Sequence, residues 1–381
     1  MTRAFPCDVA DGSYDVIIVG AGPAGAACAW RCAELGLGTL LLEAERFPRD
    51  KPCGGMVDAK VVEQVPGVEE VIERRTDWTR SYLNYEYIGE HPNHNAMLLR
   101  KRFDEWVARR AQRAGAELRD GHPVTKAETD DAGVRVVCKG GEEFRGKLLV
   151  DASGAKGRFF VDHKRAVEAA IDYKIVSMVL ESPCPNDVME SRMGFDVKGG
   201  RTYFGSYIMT GFVGYGWLFP KDGVMNAGLG TITTRSKGLA PMFDDFLKRS
   251  GFGDLDRTGT TAGLIPVKVL PQLWLPRVMF VGDAGGFVDP MTGGGIMLGM
   301  TSGRHAAETA REAVAASDFT GRTLRAYQDR CRPITRELGR KTHLLKWVAT
   351  GVGMGLDNPR IVRWVLRTFQ QRFDTSIEER R

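Results

Sequence analysis

A chain of 381 residues is too long for one minimal domain and long enough to bury a sizeable core in two or three units. Its 43% hydrophobic and 27% charged residues are ordinary for a globular protein, and 46 glycines without a period exclude collagen-like and low-complexity chains. A formal charge of +5 gives no general case for nucleic acid as a partner, and seven cysteines without a CxxC pair argue against a secreted disulfide framework and for a reducing, cytoplasmic location.

The opening MTRAFPCDVADGSYD lacks the apolar stretch of a secretory signal, and no run of about 18 apolar residues occurs that could span a bilayer. Any membrane contact is therefore expected to be peripheral. YDVIIVG (14–20) reads as a buried parallel strand, the alanine-rich AGAACAWRCAELG as a helix and TLLLE (39–43) as the next strand, together a doubly wound unit. The loop RFPRDKPCGG (46–55) leaves this unit, and residues 58–95 show no clean period. From Arg100 the spacing of Phe103, Trp106, Val107 and Ala111 predicts a helix that stops at Gly115.

VRVVCK (134–139) and EEFRG (142–146) predict a hairpin across Gly140-Gly141, after which KLLVDASG (147–154) returns to the first sheet. The runs YKIVSMVLE, RTYFGSYIM, GFVGYGWLFP and VMNAGLGTI within 165–235 predict an antiparallel sheet. A helix over FDDFLKRSG follows, and RVMFVGDAGG (277–286) is again a buried strand ending in Gly-Asp. The fold class is α/β. A Rossmann-like dinucleotide domain is expected from the discontinuous segments 1–60, 96–164 and 275–320, an antiparallel-sheet substrate domain from 61–95 and 165–274, and a helical C-terminal region from 321–381.

Gly20-Ala-Gly22-Pro-Ala24-Gly25 lies between a strand and a helix, where glycines permit a tight turn, close approach to a pyrophosphate and close helix packing. Glu43, followed by Ala44 at the end of the second strand, is placed to accept from a ribose hydroxyl and disfavours a 2′-phosphate, hence NADP, as the first-bound dinucleotide. Late in the chain, Gly282-Asp283 and the turn Gly293-Gly294-Gly295-Ile296 form a second strand end, acid, glycine turn and helix start. No second GxGxxG-type unit accompanies them, so any nicotinamide is expected to bind transiently or to be replaced by another carrier.

With an arginine-led RxxFD helix at Arg100 and a mid-chain strand ending in Asp-x-Ser153-Gly154, this order of motifs resembles the para-hydroxybenzoate-hydroxylase-type FAD superfamily. The resemblance implies FAD as cofactor, with Arg100 and Asp283 at its pyrophosphate and ribityl region and Ser153 and Gly154 among its contacts. It also implies that the helix led by Gly293, Gly294 and Gly295 points its positive end at the flavin pyrimidine edge. Lys51-Pro-Cys53-Gly54-Gly55 and Tyr215-Gly-Trp217-Leu-Phe219-Pro220, followed by Gly228-Leu-Gly230, are similar to the loop and strand signatures of the geranylgeranyl reductase family. That narrower resemblance implies an FAD-dependent reductase that saturates double bonds of prenyl (geranylgeranyl) lipids, fed by an external electron donor such as a nicotinamide, ferredoxin or deazaflavin. It places the Cys53–Gly55 loop beside the flavin ring, with Cys53, Gly54 and Gly55 among the cofactor contacts.

Read from their own chemistry, Tyr215, Trp217 and Phe219 alternate on one strand face, either as an apolar wall for the lipid, with Pro220 beside them, or as ordinary sheet core. Cys53 is either a proton donor or a small packing residue, whereas Cys28 and Cys32, one helical turn apart, are packing residues. His91-Pro-Asn-His94 has no second ligand pair at metal-site spacing and reads as a polar loop, so no metal is expected. Pro359–Phe373 carries an amphipathic pattern with basic flanks, suited to an anionic membrane surface or to packing on the domain. The rival activity is an FAD-dependent monooxygenase or halogenase of the same superfamily acting on an apolar or aromatic substrate.

Overall fold

The computed structural model describes residues 13–63, 65–155, 159–160, 175–196, 200–209, 214–233 and 236–353; the predicted amphipathic segment over Pro359–Phe373 lies outside them. The chain divides into two compact units, the first from residues 1–51, 99–172 and 264–342, the second from 52–98, 173–263 and 343–381.

In the first unit the strand Ser13–Val19 is covered on both faces, which is why Val16, Ile17 and Ile18, all fully buried, run without alternation. It lies inside the order Trp274–Leu275, Val278–Phe280, Glu143–Asp151, Ser13–Val19, Thr39–Leu42, Glu117–Arg119, parallel except at the first pair. Val19 stands opposite both Leu42 and Asp151, so the turns that follow all three strands leave at one carboxyl edge, the edge where doubly wound sheets bind ligands.

Glu143–Asp151 is one continuous strand rather than a hairpin arm followed by a separate strand. Gly146 pairs with both Tyr14 and Val134, and its missing side chain leaves room for Ile17, which a Cβ would meet at 3.0 Å. The helix Arg100–Arg113 buries Phe103, Trp106, Val107 and Ala111 as their spacing predicts, and Trp106 meets Trp30 of the helix Pro23–Glu34 edge-on at 6.5 Å. The helix Gly321–Gly353 does not begin a separate C-terminal region. Its Tyr327 hydroxyl donates to the Phe280 carbonyl at 2.6 Å, and Arg330 donates to Thr309 at 2.9 Å, so its first part belongs to the first unit.

The second unit is built on a sheet in the order Thr260–Ile265, Ile175–Pro183, Val224–Ile232, Gly214–Lys221, Tyr203–Met209, Ile72–Leu83, Glu86–Leu98, Met56–Asp58. Against the expected antiparallel pairing, Tyr203–Met209 runs parallel to Ile72–Leu83. The stretch 58–95, without a legible period, contains most of a long hairpin. Register shifts at three places along it break the two-residue alternation, and Asn84 and Tyr85 make the turn with positive φ. Residues 52–58 join this unit rather than the first because Met56–Asp58 pairs with Glu86–Leu98 and Leu98 N–H donates to the Gly55 carbonyl. The helix Leu239–Arg249 covers one sheet face through Phe243 and Phe246, the latter packed over Gly216, where a Cβ would come within 2.8 Å of its ring.

Candidate functional site

The fingerprint turn of the first unit leaves no room for side chains. A Cβ on Gly25 would lie 1.9 Å from the Gly20 carbonyl oxygen, and one on Gly20, whose φ is 104°, would lie 2.3 Å from that of Ala152. Gly22 is different: it is the N-cap of Pro23–Glu34, no side chain caps that helix, and a Cβ there would meet only the Arg49 guanidinium at 3.7 Å. This is a cradle of main chain with a cation at its open side, the arrangement that receives a pyrophosphate. Ala24 packs under the late turn, since a Cβ on Gly282 would lie 2.7 Å from its methyl group.

Glu43 is buried, and its carboxylate accepts from Ala21 N–H at 2.9 Å and Glu45 N–H at 3.2 Å, while Ala44 beside it is exposed. Arg49 Nε is 3.2 Å from Glu43 Oε2 without hydrogen-bond geometry, which leaves a buried donor unsatisfied, and Arg49 Nη1 is 3.2 Å from Asp104. Arg100 holds the same Asp104 through two hydrogen bonds of 2.7 and 2.9 Å. Arg100 is thus part of a buried ion cluster, with Nε and Nη2 turned to Asp104. Sequence reasoning missed Arg49 and Asp104, although the four-residue spacing of Arg100 and Asp104 was there to be read.

At the same carboxyl edge, Ser153 N–H and hydroxyl bond Asp151 at 3.0 and 2.5 Å, and Gly154 takes a φ of 79°. Asp283 lies in the helical turn Gly282–Gly285, and its Oδ1 is 3.5 Å from where a Gly295 Cβ would be. Gly293 (φ 71°), Gly294 and the N-cap Gly295 lead into the helix Ile296–Ala316, which likewise has no side-chain cap. Asp289 ties this turn together by accepting from Met291 and Thr292 N–H at 2.8 and 3.3 Å and from Lys341 Nζ at 2.6 Å. Two uncapped helix N-termini, glycines that exclude side chains and a buried unsatisfied guanidinium N–H fit FAD.

In the second unit the rings of Tyr215, Trp217 and Phe219 do share a face, stacked with successive centroids 5.9 Å apart. Trp217 and Phe219 are also core: they are 7% and 5% exposed and pack with Phe204, Val179 and Met97. Pro220 does not join them. Strand alternation puts it on the opposite face, across from Met225, which belongs to the other hydrophobic cluster.

The Cys53–Gly55 loop lies flat against this wall, because a Cβ on Gly54 would come 2.6 Å from the Phe219 ring and 3.2 Å from the Trp217 indole nitrogen. Asn226, fully buried, fastens loop and wall together: its Oδ1 accepts from the Trp217 indole N–H at 2.8 Å and its Nδ2 donates to the Cys53 carbonyl at 2.9 Å. The same Nδ2 donates to Glu181 at 2.9 Å, and Glu181 is ion-paired with the wholly buried Lys221. Burial pushes the Lys221 ammonium below the ordinary lysine range against the opposing attraction of Glu181, and burial pushes the Tyr215 hydroxyl up to about 12. Asn226, Glu181 and Lys221 were missed; each stands on a different, mostly apolar strand, and nothing local marks them as partners.

Cys53 is half-buried, and its sulfur accepts from Gly55 N–H at 3.4 Å. Cys28 and Cys32 are buried with their sulfurs 4.0 Å apart, as packing residues are. His91 and His94 stand on the strand Glu86–Leu98 rather than in a loop, with His94 3.0 Å from Asp77. Among the described residues no group of three or more His, Cys, Asp or Glu is placed to hold a metal ion. No helix of the described residues is long and apolar enough to cross a membrane.

Residues 15–157 match the family model for FAD dependent oxidoreductases. The chain is 31% identical to digeranylgeranylglycerophospholipid reductase 2 of Methanopyrus kandleri over 83% of its own length and 82% of that protein's. Among solved structures it superposes on a geranylgeranyl bacteriochlorophyll reductase-like protein from Thermoplasma acidophilum with a TM-score of 0.73 at 24% identity, covering 88% of each chain. A probable FAD-dependent monooxygenase from Pseudomonas aeruginosa shares the fold with a TM-score of 0.68 at 16% identity, covering 93% of this chain and 100% of that one. The cradle, the motif order and the relative matched over most of both lengths lead to one assignment: the chain belongs to the geranylgeranyl reductase family of FAD-dependent oxidoreductases.

Proposed function

We propose that this protein saturates carbon–carbon double bonds in the geranylgeranyl chains of isoprenoid lipids, with a digeranylgeranylglycerophospholipid as its substrate class. The observation that carries this reading is the 31% identity spread over 82% of a digeranylgeranylglycerophospholipid reductase, a span that neither unit alone could supply. When bound and reduced by an external donor of the nicotinamide, ferredoxin or deazaflavin type, FAD supplies hydride.

Gly20, Gly22, Gly25 and the N-terminus of Pro23–Glu34 take the pyrophosphate, and Glu43 takes the ribose. Arg49, steadied by Asp104 and Arg100, balances the phosphate charge at the cradle's open side. Asp283 and the Gly293–Ile296 turn serve the ribityl chain and the pyrimidine edge. An isolated alkene is a poor hydride acceptor, so a proton has to arrive with or before the hydride and water has to be kept out. Tyr215, Trp217 and Phe219 hold the prenyl chain, and Cys53 gives the proton as a general acid. A lipid substrate also calls for peripheral contact with a membrane surface.

The test is anaerobic: reduced holoenzyme incubated with detergent-dispersed digeranylgeranylglycerophospholipid should yield products heavier by one hydrogen molecule per bond. A product that forms only with oxygen and carries a hydroxyl or halogen would establish the rival activity instead.

A further inference from the structure

Lys221 is fully buried in the strand Gly214–Lys221, and nothing in the proposed reaction yet uses it. An ammonium is costly to keep away from water, and a packed sheet offers many apolar replacements of similar size. Its surroundings are specific. Among the described residues, Glu181 from the strand Ile175–Pro183, Glu73 from the strand Ile72–Leu83 and Cys53 from the loop are charged or titratable groups that act on it. Glu181 pairs with it directly and is held in turn by Asn226, whose amide also fixes the Cys53 carbonyl. A Cβ on Gly55 would lie 3.2 Å from Lys221 Nζ, and the N–H of that same Gly55 donates to the Cys53 sulfur at 3.4 Å. The ammonium therefore stands behind the one loop residue that solvates the sulfur.

We propose that Lys221, held in place by Glu181 and Asn226, is a positioning residue that supplies the charge supporting the Cys53 thiolate left after proton donation. This rests on the reading of Cys53 as the proton donor. In that step the S–H bond breaks and a C–H bond forms at one alkene carbon, while hydride from the reduced cofactor brings the electron pair for the bond at the other carbon. The sulfur keeps its bonding pair and a negative charge, which the ammonium balances until water returns a proton after product leaves. Glu181 is ion-paired with the ammonium and opposes the effect of burial on it.

The experiment uses the full-length holoenzyme and follows iodoacetamide alkylation of Cys53 against pH, located by peptide mass mapping. Lys221→Met should move the profile to higher pH, and Lys221→Arg should stay near the parent. A profile displaced by about one pH unit changes reactivity below the midpoint about tenfold. If Lys221→Met does not fold, Lys221→Gln decides, since it removes the charge while keeping a polar group for Glu181 to bond. Coincident profiles, or displacements opposite in sign, overturn the proposal. Failure of the underlying reading looks different: Cys53→Ala would still reduce the alkene at near the parent rate while the alkylation profiles still separate, and that result removes this role for Lys221 as well.

Discussion

The unit that carries the dinucleotide fingerprint and the unit that carries the aromatic wall do their holding by opposite means. At the fingerprint, the first unit works with main chain: Gly20 and Gly25 are closed to any side chain, and the helix they introduce has no side-chain cap. The second unit works with side chains, where one amide, that of Asn226, joins an indole, a loop carbonyl and a carboxylate. A cradle of main chain fails outright when a side chain intrudes. A network of side chains should degrade by degrees, and, if it serves the substrate as proposed, the cofactor should stay bound while the chemistry suffers.

The largest effect should come from the closed cradle. Gly25→Val places a branched side chain where even a Cβ would be 1.9 Å from a carbonyl oxygen. The turn has to open, at a cost of about 3 kcal/mol or more, the upper part of the overpacking range. Purified Gly25→Val should be colourless after desalting from excess FAD, with a lowered melting temperature. Parent flavin stoichiometry in that variant would break the comparison at its root.

Next in size is Cys53→Ala. FAD content and flavin reduction by an artificial donor should match the parent, whereas alkene reduction should slow by about 10²–10⁴-fold, the usual loss on removing a general acid. A rate within a few-fold of the parent would return Cys53 to packing.

The same contrast explains what could be read before the structure was known. Gly20, Gly22 and Gly25 sit within six residues of each other, and their spacing alone encodes the turn, because backbone geometry is local. Asn226 lies 173 residues from Cys53, and Lys221 lies 40 from Glu181, so no sequence window contains both partners. Arg49 was hidden for the same reason, being tied to an aspartate on the later helix. Pro220 was misplaced because a motif lists neighbours in sequence while a strand sends them to opposite faces. The long hairpin over 72–98 escaped because its bulges erase the period on which strand recognition depends.

A third variant probes the loop where it rests on the wall. Gly54→Ala adds a Cβ 2.6 Å from the Phe219 ring, so the loop has to lift or the ring has to turn. Displacement of about 1 Å near a reacting group costs about 10²-fold in rate, and FAD content should not change. Loss of flavin in Gly54→Ala would mean that the loop also carries the cofactor. Trp217→Phe is milder. It keeps an aromatic ring and removes the N–H that Asn226 accepts, so stability should fall by about 1 kcal/mol, read by urea unfolding.

The smallest expected effect sharpens the comparison most, because Lys341 is a side-chain support within the main-chain unit. It reaches from the helix Gly321–Gly353 to Asp289, the residue that ties the turn ahead of Gly293–Gly295. The pair is partly exposed, at 30% and 13%, so solvent screening limits it to about 1 kcal/mol. If the late turn depends on that support, Lys341→Met should weaken FAD binding about fivefold, read by fluorescence titration. Burial alone would lower the Lys341 pKa, but its bonds to Asp289 and Glu337 outweigh burial and leave it raised. A base whose folded pKa is raised contributes in full below its unfolded pKa and loses the contribution as pH climbs through the folded value. The difference between parent and Lys341→Met should therefore be constant across neutral pH and vanish only above the ordinary lysine range. Equal affinities at neutral pH would show that the turn, like the fingerprint, is held by main chain alone.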